Sequence, residues 1–195
     1  MPRAFVALLL DEATRAAVTA EVDRLRPLSR AVAWVPARNL HLTLSFLGEQ
    51  SEEGLAEALV AVEEAAAGSA PFEVALHGLG AFPGLARPRI FWIGLAEGGP
   101  SARGLQGRLA AALVARGFPP ETRPWHPHLT IGRVPDEGRW RREGGAAVRQ
   151  AVTRAGSVAV ARLSIEAMSL MKSVLSPTGA QYTELATRRL GAHAC

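Results

Sequence analysis

"HPHLTIGR", residues 126–133, sets His128 and Thr130 two positions apart, each followed by an aliphatic residue. "HLTLSFLG", residues 41–48, repeats the arrangement with His41 and Thr43. Alternate side chains of a β-strand share a face, so each segment presents an imidazole and a hydroxyl on one side and aliphatic groups on the other. One such tetrapeptide carries little information. Two in a chain of 195 residues point to a repeated site.

The surrounding pattern alternates between short strand-like runs and helical stretches. Residues 4–10 read as a buried strand, and 11–25 as a helix capped at Asp11. Strands at 32–35 and 41–47 bracket a turn at Pro36. Ser51, with Glu52 and Glu53 behind it, opens a second helix whose acidic first turn suits the helix dipole. Strands follow at 72–79 and 90–95, then a helix at 101–116 stopped by Gly117. The second His/Thr strand spans 127–134, an arginine-rich helix 138–151, and strands at 158–165, 167–174 and 182–187 close the chain, with "SPTG" as the last turn. Short connections between strands favour antiparallel pairing. The expected class is α+β: one domain, residues 1–195, of two pseudo-twofold-related lobes with helices outside. Such an axis brings His41 and His128 to face each other across a central cleft.

Composition narrows the setting. An apolar content of 48% suffices for a sizeable core, and the apolar runs are too short to cross a bilayer. Arg3 and its brief apolar run meet Asp11 and Glu12 at once, which reads as a first strand and not a signal peptide. The sole cysteine, Cys195, leaves no internal disulfide and no thiolate cluster, so a cytoplasmic protein is expected. Net charge is +4, and Lys172 is the only lysine. Arginine offers a planar fork suited to phosphate, although genome composition produces the same bias.

Two imidazoles across a cleft form a general acid and a general base that both work near neutral pH. Threonine hydroxyls donate to anionic oxygens, which favours a negatively charged transition state. Acid, base and two donors suit in-line displacement at a phosphodiester without a metal.

The sequence resembles the 2H phosphoesterase superfamily, and within it the RNA 2′,3′-cyclic phosphodiesterases once called 2′-5′ RNA ligases. The likeness covers nearly the whole chain: "RAFVALLLDEATRAAV" (3–18), "ARNLHLTLSFLGE" (37–49), "GLGAFPGLARPRIFWIGL" (78–95), "RPWHPHLTIGRV" (123–134) and "SVLSPTGAQYTEL" (173–185). The resemblance implies hydrolysis of 2′,3′-cyclic phosphates of RNA or nucleotides to 2′-phosphomonoesters, with no cofactor. It implies His41 as proton donor to the departing 3′ oxygen and His128 as proton acceptor from water. Thr43 and Thr130 are then the phosphate-contacting hydroxyls. Rival expectations are 2′-5′ joining of tRNA halves at the same site, or an RNA-end-binding module without chemistry. A monomer is expected, because the cleft is complete within one chain.

Arg133 stands five residues after His128, and Phe46 five after His41. Strict alternation turns both away from the cleft, but Gly132 permits a bulge that re-aims Arg133. The family motif places an arginine there, near phosphate or base. Phe46 is either a base-stacking surface or an ordinary core residue. "HPH" offers two imidazoles to a metal, but no third ligand set accompanies them, so His126 reads as a flanking residue and no metal is expected. His77 reads as structural, Trp92 as core, and His193 as part of a terminal tail. Trp125 is open, and neither Lys172 nor Tyr182 is assigned a role. Arg139, Arg141, Arg142, Arg149 and Arg154 read as a solvated helix face, with an RNA track as the alternative.

Overall fold

The run RAFVALL forms β1 (Arg3–Leu9), and its central residues are buried in unbroken succession. A strand reads this way when the sheet is covered on both faces. Ala4, Val6 and Leu8 enter the main core, whereas Phe5 and Ala7 join a separate cluster with Met171, packed by Leu9 and Tyr182. In this computed structural model residues 2–143, 145–176 and 179–191 are described. Pro177 and Thr178 of the expected last turn, together with His193 and Cys195, lie outside them.

After β1 come α1 (Glu12–Leu25), β2 (Ala33–Trp34), β3 (His41–Glu49), α2 (Glu52–Ala67), β4 (Phe72–Phe82) and β5 (Ile90–Glu97). The second half holds α3 (Gly99–Ala115), β6 (His128–Arg133), α4 (Glu137–Arg142) and α5 (Ala146–Arg154). It ends with β7 (Ala159–Ile165), β8 (Ala167–Ser176) and β9 (Gly179–Arg189). The two expected caps form: the Asp11 carboxylate accepts from Thr14 N–H at 2.7 Å, and Ser51 Oγ from Gly54 N–H at 3.1 Å. The helix expected at 101–116 starts earlier, because Pro100 fits a first helical turn. The arginine-rich helix expected at 138–151 is two helices, with Gly145, a poor helix former, between them. The second His/Thr strand begins at His128 and not at 127, where proline has no N–H for a ladder.

The strands form one sheet in the order β7-β4-β5-β6-β3-β1-β8-β9, with β2 paired to β6 off this path. Every pairing is antiparallel, which gives the expected α+β class. The order divides at β3 and β6: outward from β3 run β1, β8 and β9, and outward from β6 run β5, β4 and β7. Glu166 alone separates β7 from β8. At the centre Leu42 of β3 stands opposite Leu129 of β6. Both leucines are fully buried in the main core, which also takes the inner faces of α1, α2, α3 and α5. Helices therefore cover the leucine face, and the face carrying His41, Thr43, His128 and Thr130 lies opposite.

Full burial of a leucine is worth roughly 2–3 kcal/mol, and its truncation in a packed core costs more because a cavity remains. Leu129→Ala should lower the unfolding free energy by about 3 kcal/mol, read from the urea midpoint at unchanged m. A change below about 1 kcal/mol would contradict this placement.

Candidate active site

The Leu42–Leu129 pairing sets the geometry. Extended by one residue in each direction, the antiparallel register brings His41 opposite Thr130 and Thr43 opposite His128. Residues directly opposite share a face, so two imidazoles and two hydroxyls form a quartet with the histidines on its diagonal. Diagonal neighbours of this kind lie about 7–8 Å apart at their Cα atoms, close enough for two side chains to reach one small ligand. Among the described residues neither threonine hydroxyl is taken by another protein group.

Each imidazole is held in the same way. His41 Nδ1 lies 2.8 Å from the carbonyl of Asn39, and His128 Nδ1 lies 2.7 Å from the carbonyl of His126. A carbonyl only accepts, so Nδ1 carries the hydrogen and Nε2 of each neutral ring is left as an acceptor. The carbonyls are positioned by the turns ahead of the strands. Asn39 ends the 3₁₀ turn Ala37–Asn39, and its Nδ2 donates to the Ala180 carbonyl of β9 at 2.8 Å. Pro127 restricts His126 to extended backbone. Trp125, open in the sequence, donates from Nε1 to the Thr43 carbonyl at 3.1 Å and clasps the loop before β6 onto β3. His126 contributes its carbonyl, while its own ring is exposed, 6.5 Å from that of Phe82.

Both strands carry a bulge three residues after the histidine. In the β1–β3 register Val6 meets Ser45 and Ala7 meets Thr43, so Leu44 is skipped. In the β5–β6 register Phe91 meets Gly132 and Trp92 meets Thr130, so Ile131 is skipped. An extra residue reverses the alternation. It therefore returns Phe46 and Arg133 to the His/Thr face, from which strict alternation had removed them. Gly132 suits the bulge because a Cβ there would stand 2.8 Å from Val32 Cγ1 and 2.9 Å from Trp34 Cε3. Phe46 is 68% exposed, which excludes the core reading.

Burial is the main cause that holds the pKa of both histidines below the ordinary 6.5. The Nδ1 hydrogen bonds pull the other way, and the Arg133 guanidinium lowers both again. One cation acting on both rings ties His41, His128 and Arg133 to a single site. Among the described residues no carboxylate pairs with Arg133. Two neutral imidazoles beside an unneutralised guanidinium and two free hydroxyls make a site for an anion.

Aromatic rings frame the quartet. Phe5 lies against His41 with centroids 4.8 Å apart, and Tyr182 meets it edge-on at 5.3 Å. Phe82 meets His128 edge-on at 5.2 Å. Trp92 is not the core residue expected: Phe91 and Ile93 take the core positions, and alternation turns Trp92 the other way. Its ring lies over Gly80, where a Cβ would come within 2.2 Å, and it lines a recess of about 440 Å³ with Phe82, His77 and His128. His77 therefore faces this recess. Lys172 pairs with Ala4 and Thr183, and Ala4 belongs to the helix-covered face, so the lysine is directed away from the quartet. Arg139 is engaged with Glu143 at 2.6 Å, in keeping with a solvated helix face.

The profile of the 2′-5′ RNA ligase superfamily matches residues 14–174. The chain belongs to this superfamily. An RNA 2′,3′-cyclic phosphodiesterase of Methanothermobacter thermautotrophicus is 35% identical over 96% of this chain and 98% of its own length. The protein of that name from Thermus thermophilus is 33% identical over 94% and 87%. A solved structure from Thermus thermophilus superposes with a TM-score of 0.78 at 32% identity, covering 98% of this chain and 100% of that one. E. coli LigT shares the fold, with a TM-score of 0.77 at 23% identity and coverage of 98% and 100%. The superfamily resemblance read from segments along nearly the whole chain is thus borne out.

Removing the Arg133 charge should raise both histidine pKa values. Titration of the imidazole Cε1–H signals by NMR should show His41 and His128 midpoints below 6.5 in the parent and higher in Arg133→Ala. An upward move of only one midpoint would separate the two rings.

Proposed function

We propose that this protein hydrolyses 2′,3′-cyclic phosphodiesters at RNA ends or on nucleotides to 2′-phosphomonoesters, by acid–base catalysis without a metal. The reaction centre is the pair of His-x-Thr strands within a single domain of two pseudo-twofold-related lobes, acting as a cytoplasmic monomer. In the productive state one Nε2 carries a proton and the other does not. His128 Nε2 takes a proton from water as its oxygen attacks phosphorus. His41 Nε2–H gives a proton to the departing 3′ oxygen. Thr43 and Thr130 donate to the non-bridging oxygens, and the Arg133 charge balances the negative charge that grows there. Phe46, exposed at the rim, offers a face on which a base stacks.

The observation that carries this reading is the matched tethering of both rings through Nδ1, which leaves two Nε2 atoms for one anion site. The curated relatives named RNA 2′,3′-cyclic phosphodiesterase support the substrate class. LigT has been solved with 3′-AMP and with phosphate, in keeping with nucleotide chemistry in this fold.

Turnover of a 2′,3′-cyclic nucleotide in excess chelator should fall by about 10²–10⁴-fold in His41→Ala and in His128→Ala. Unchanged turnover in both variants would rule out the chemistry. An RNA-end binder would instead show negligible turnover in the parent and keep its affinity in both variants.

The pH dependence has a definite sign. Both pKa values lie below 6.5 in the free enzyme, so the singly protonated form peaks below that pH. The kcat/KM profile, which reports the free enzyme, should have its optimum below 6.5 and fall toward alkaline pH as the acid loses its proton. A bound phosphate anion favours imidazolium, so the kcat profile should lie at higher pH. Coincident profiles would contradict this coupling.

A further inference from the structure

The loop from β4 to β5 and the chain leaving β6 enclose a second recess, of about 850 Å³, beside the His/Thr quartet. Arg87, Arg89 and Arg123 line it together with Phe82, Ile90 and Glu137. Its wall is fixed by backbone bonds: Arg89 N–H donates to the Phe82 carbonyl at 2.7 Å, and Val134 N–H to the Arg89 carbonyl at 3.0 Å. Glu137 lies 3.7 Å from Arg87 in an exposed pair of little strength. Among the described residues Arg89 and Arg123 have no ion-pair partner. The recess therefore keeps a surplus of positive charge on a rigid frame. It adjoins the proposed reaction centre at two points, since Phe82 contacts His128 and Ile90 pairs with Arg133.

We propose that this recess is a backbone subsite that grips phosphates of an RNA strand outside the reacting nucleotide. The inference rests on the proposed phosphodiesterase reading and extends it from nucleotide to strand. A 2′,3′-cyclic phosphate closes the 3′ end, so every other phosphate of the substrate belongs to the strand that leads to it. A cyclic mononucleotide has none to offer. Planar guanidinium forks from two separate segments suit successive phosphates without reading sequence. Of the helix arginines, Arg139 already serves Glu143.

The test compares a short oligoribonucleotide ending in a 2′,3′-cyclic phosphate with the cyclic mononucleotide of the same base. In Arg87→Gln/Arg89→Gln/Arg123→Gln, kcat/KM for the oligomer should fall about tenfold or more while the mononucleotide is turned over as before. The log–log salt dependence of oligomer binding should become shallower by about 2 units, as expected for three lost single-strand contacts. Lysines at the three positions should restore most of both effects, and Arg149→Gln/Arg154→Gln should change neither. An unchanged oligomer rate, an equal loss on both substrates, or inorganic tripolyphosphate binding as tightly as the oligomer would each overturn the subsite. Turnover of the mononucleotide that survives loss of both histidines would instead defeat the catalytic reading and leave the salt effect to be judged separately.

Discussion

The pairing of Leu42 with Leu129 is the constraint on which the site depends. A slip of one residue by either strand would turn that strand's leucine out of the core and its histidine into it. Two buried aliphatic side chains thus fix, through their own burial, which face receives the polar groups. The bulges at Leu44 and Ile131 act within that frame. Each leaves its aliphatic residue in the core and returns Phe46 or Arg133 to the face that carries the histidines. Packing on the helix side and chemistry on the other are set by the same few residues.

The electrostatics follow from where the imidazoles sit. Burial and the Arg133 charge disfavour imidazolium at both rings, while the carbonyl tethers fix the tautomer. Among the described residues the Arg133 guanidinium has no carboxylate partner and both threonine hydroxyls are unengaged, so the site favours an anion. The two surroundings are not identical. His41 lies between Phe5 and Tyr182 over an apolar cluster, whereas His128 opens toward the recess lined by Phe82 and Trp92. Such asymmetry gives two chemically equal rings the means to hold different protonation states.

Much of the fold was legible, for identifiable reasons. The caps at Asp11 and Ser51 and the period-2 runs are local signals, and they marked elements to within a few residues. His41, Thr43, His128 and Thr130 were legible because a duplicated spacing is visible without knowing what pairs with what. Arg133 was reachable through Gly132, a local sign of a bulge. Phe5 and Phe82 were missed as ring partners of the histidines, since their place depends on cross-strand register. Within FVALLL the parity that sends Phe5 toward His41 is masked by burial on both faces. Trp92 was misread as core for the same reason: in IFWIGL the neighbours hide a side chain that the sheet turns outward. Tyr182 was singled out but given no role, because its nearness to His41 depends on the order of the strands.

The central claim is that Nε2 of His41 and Nε2 of His128 address opposite sides of one phosphorus atom. A crystal structure with a uridine–vanadate complex, which imitates a five-coordinate phosphorus, addresses it directly. The account predicts vanadium between the two rings, with one apical oxygen bonded to each Nε2 and equatorial oxygens near Thr43 and Thr130. Vanadate bound to one histidine alone, or away from both, would contradict it.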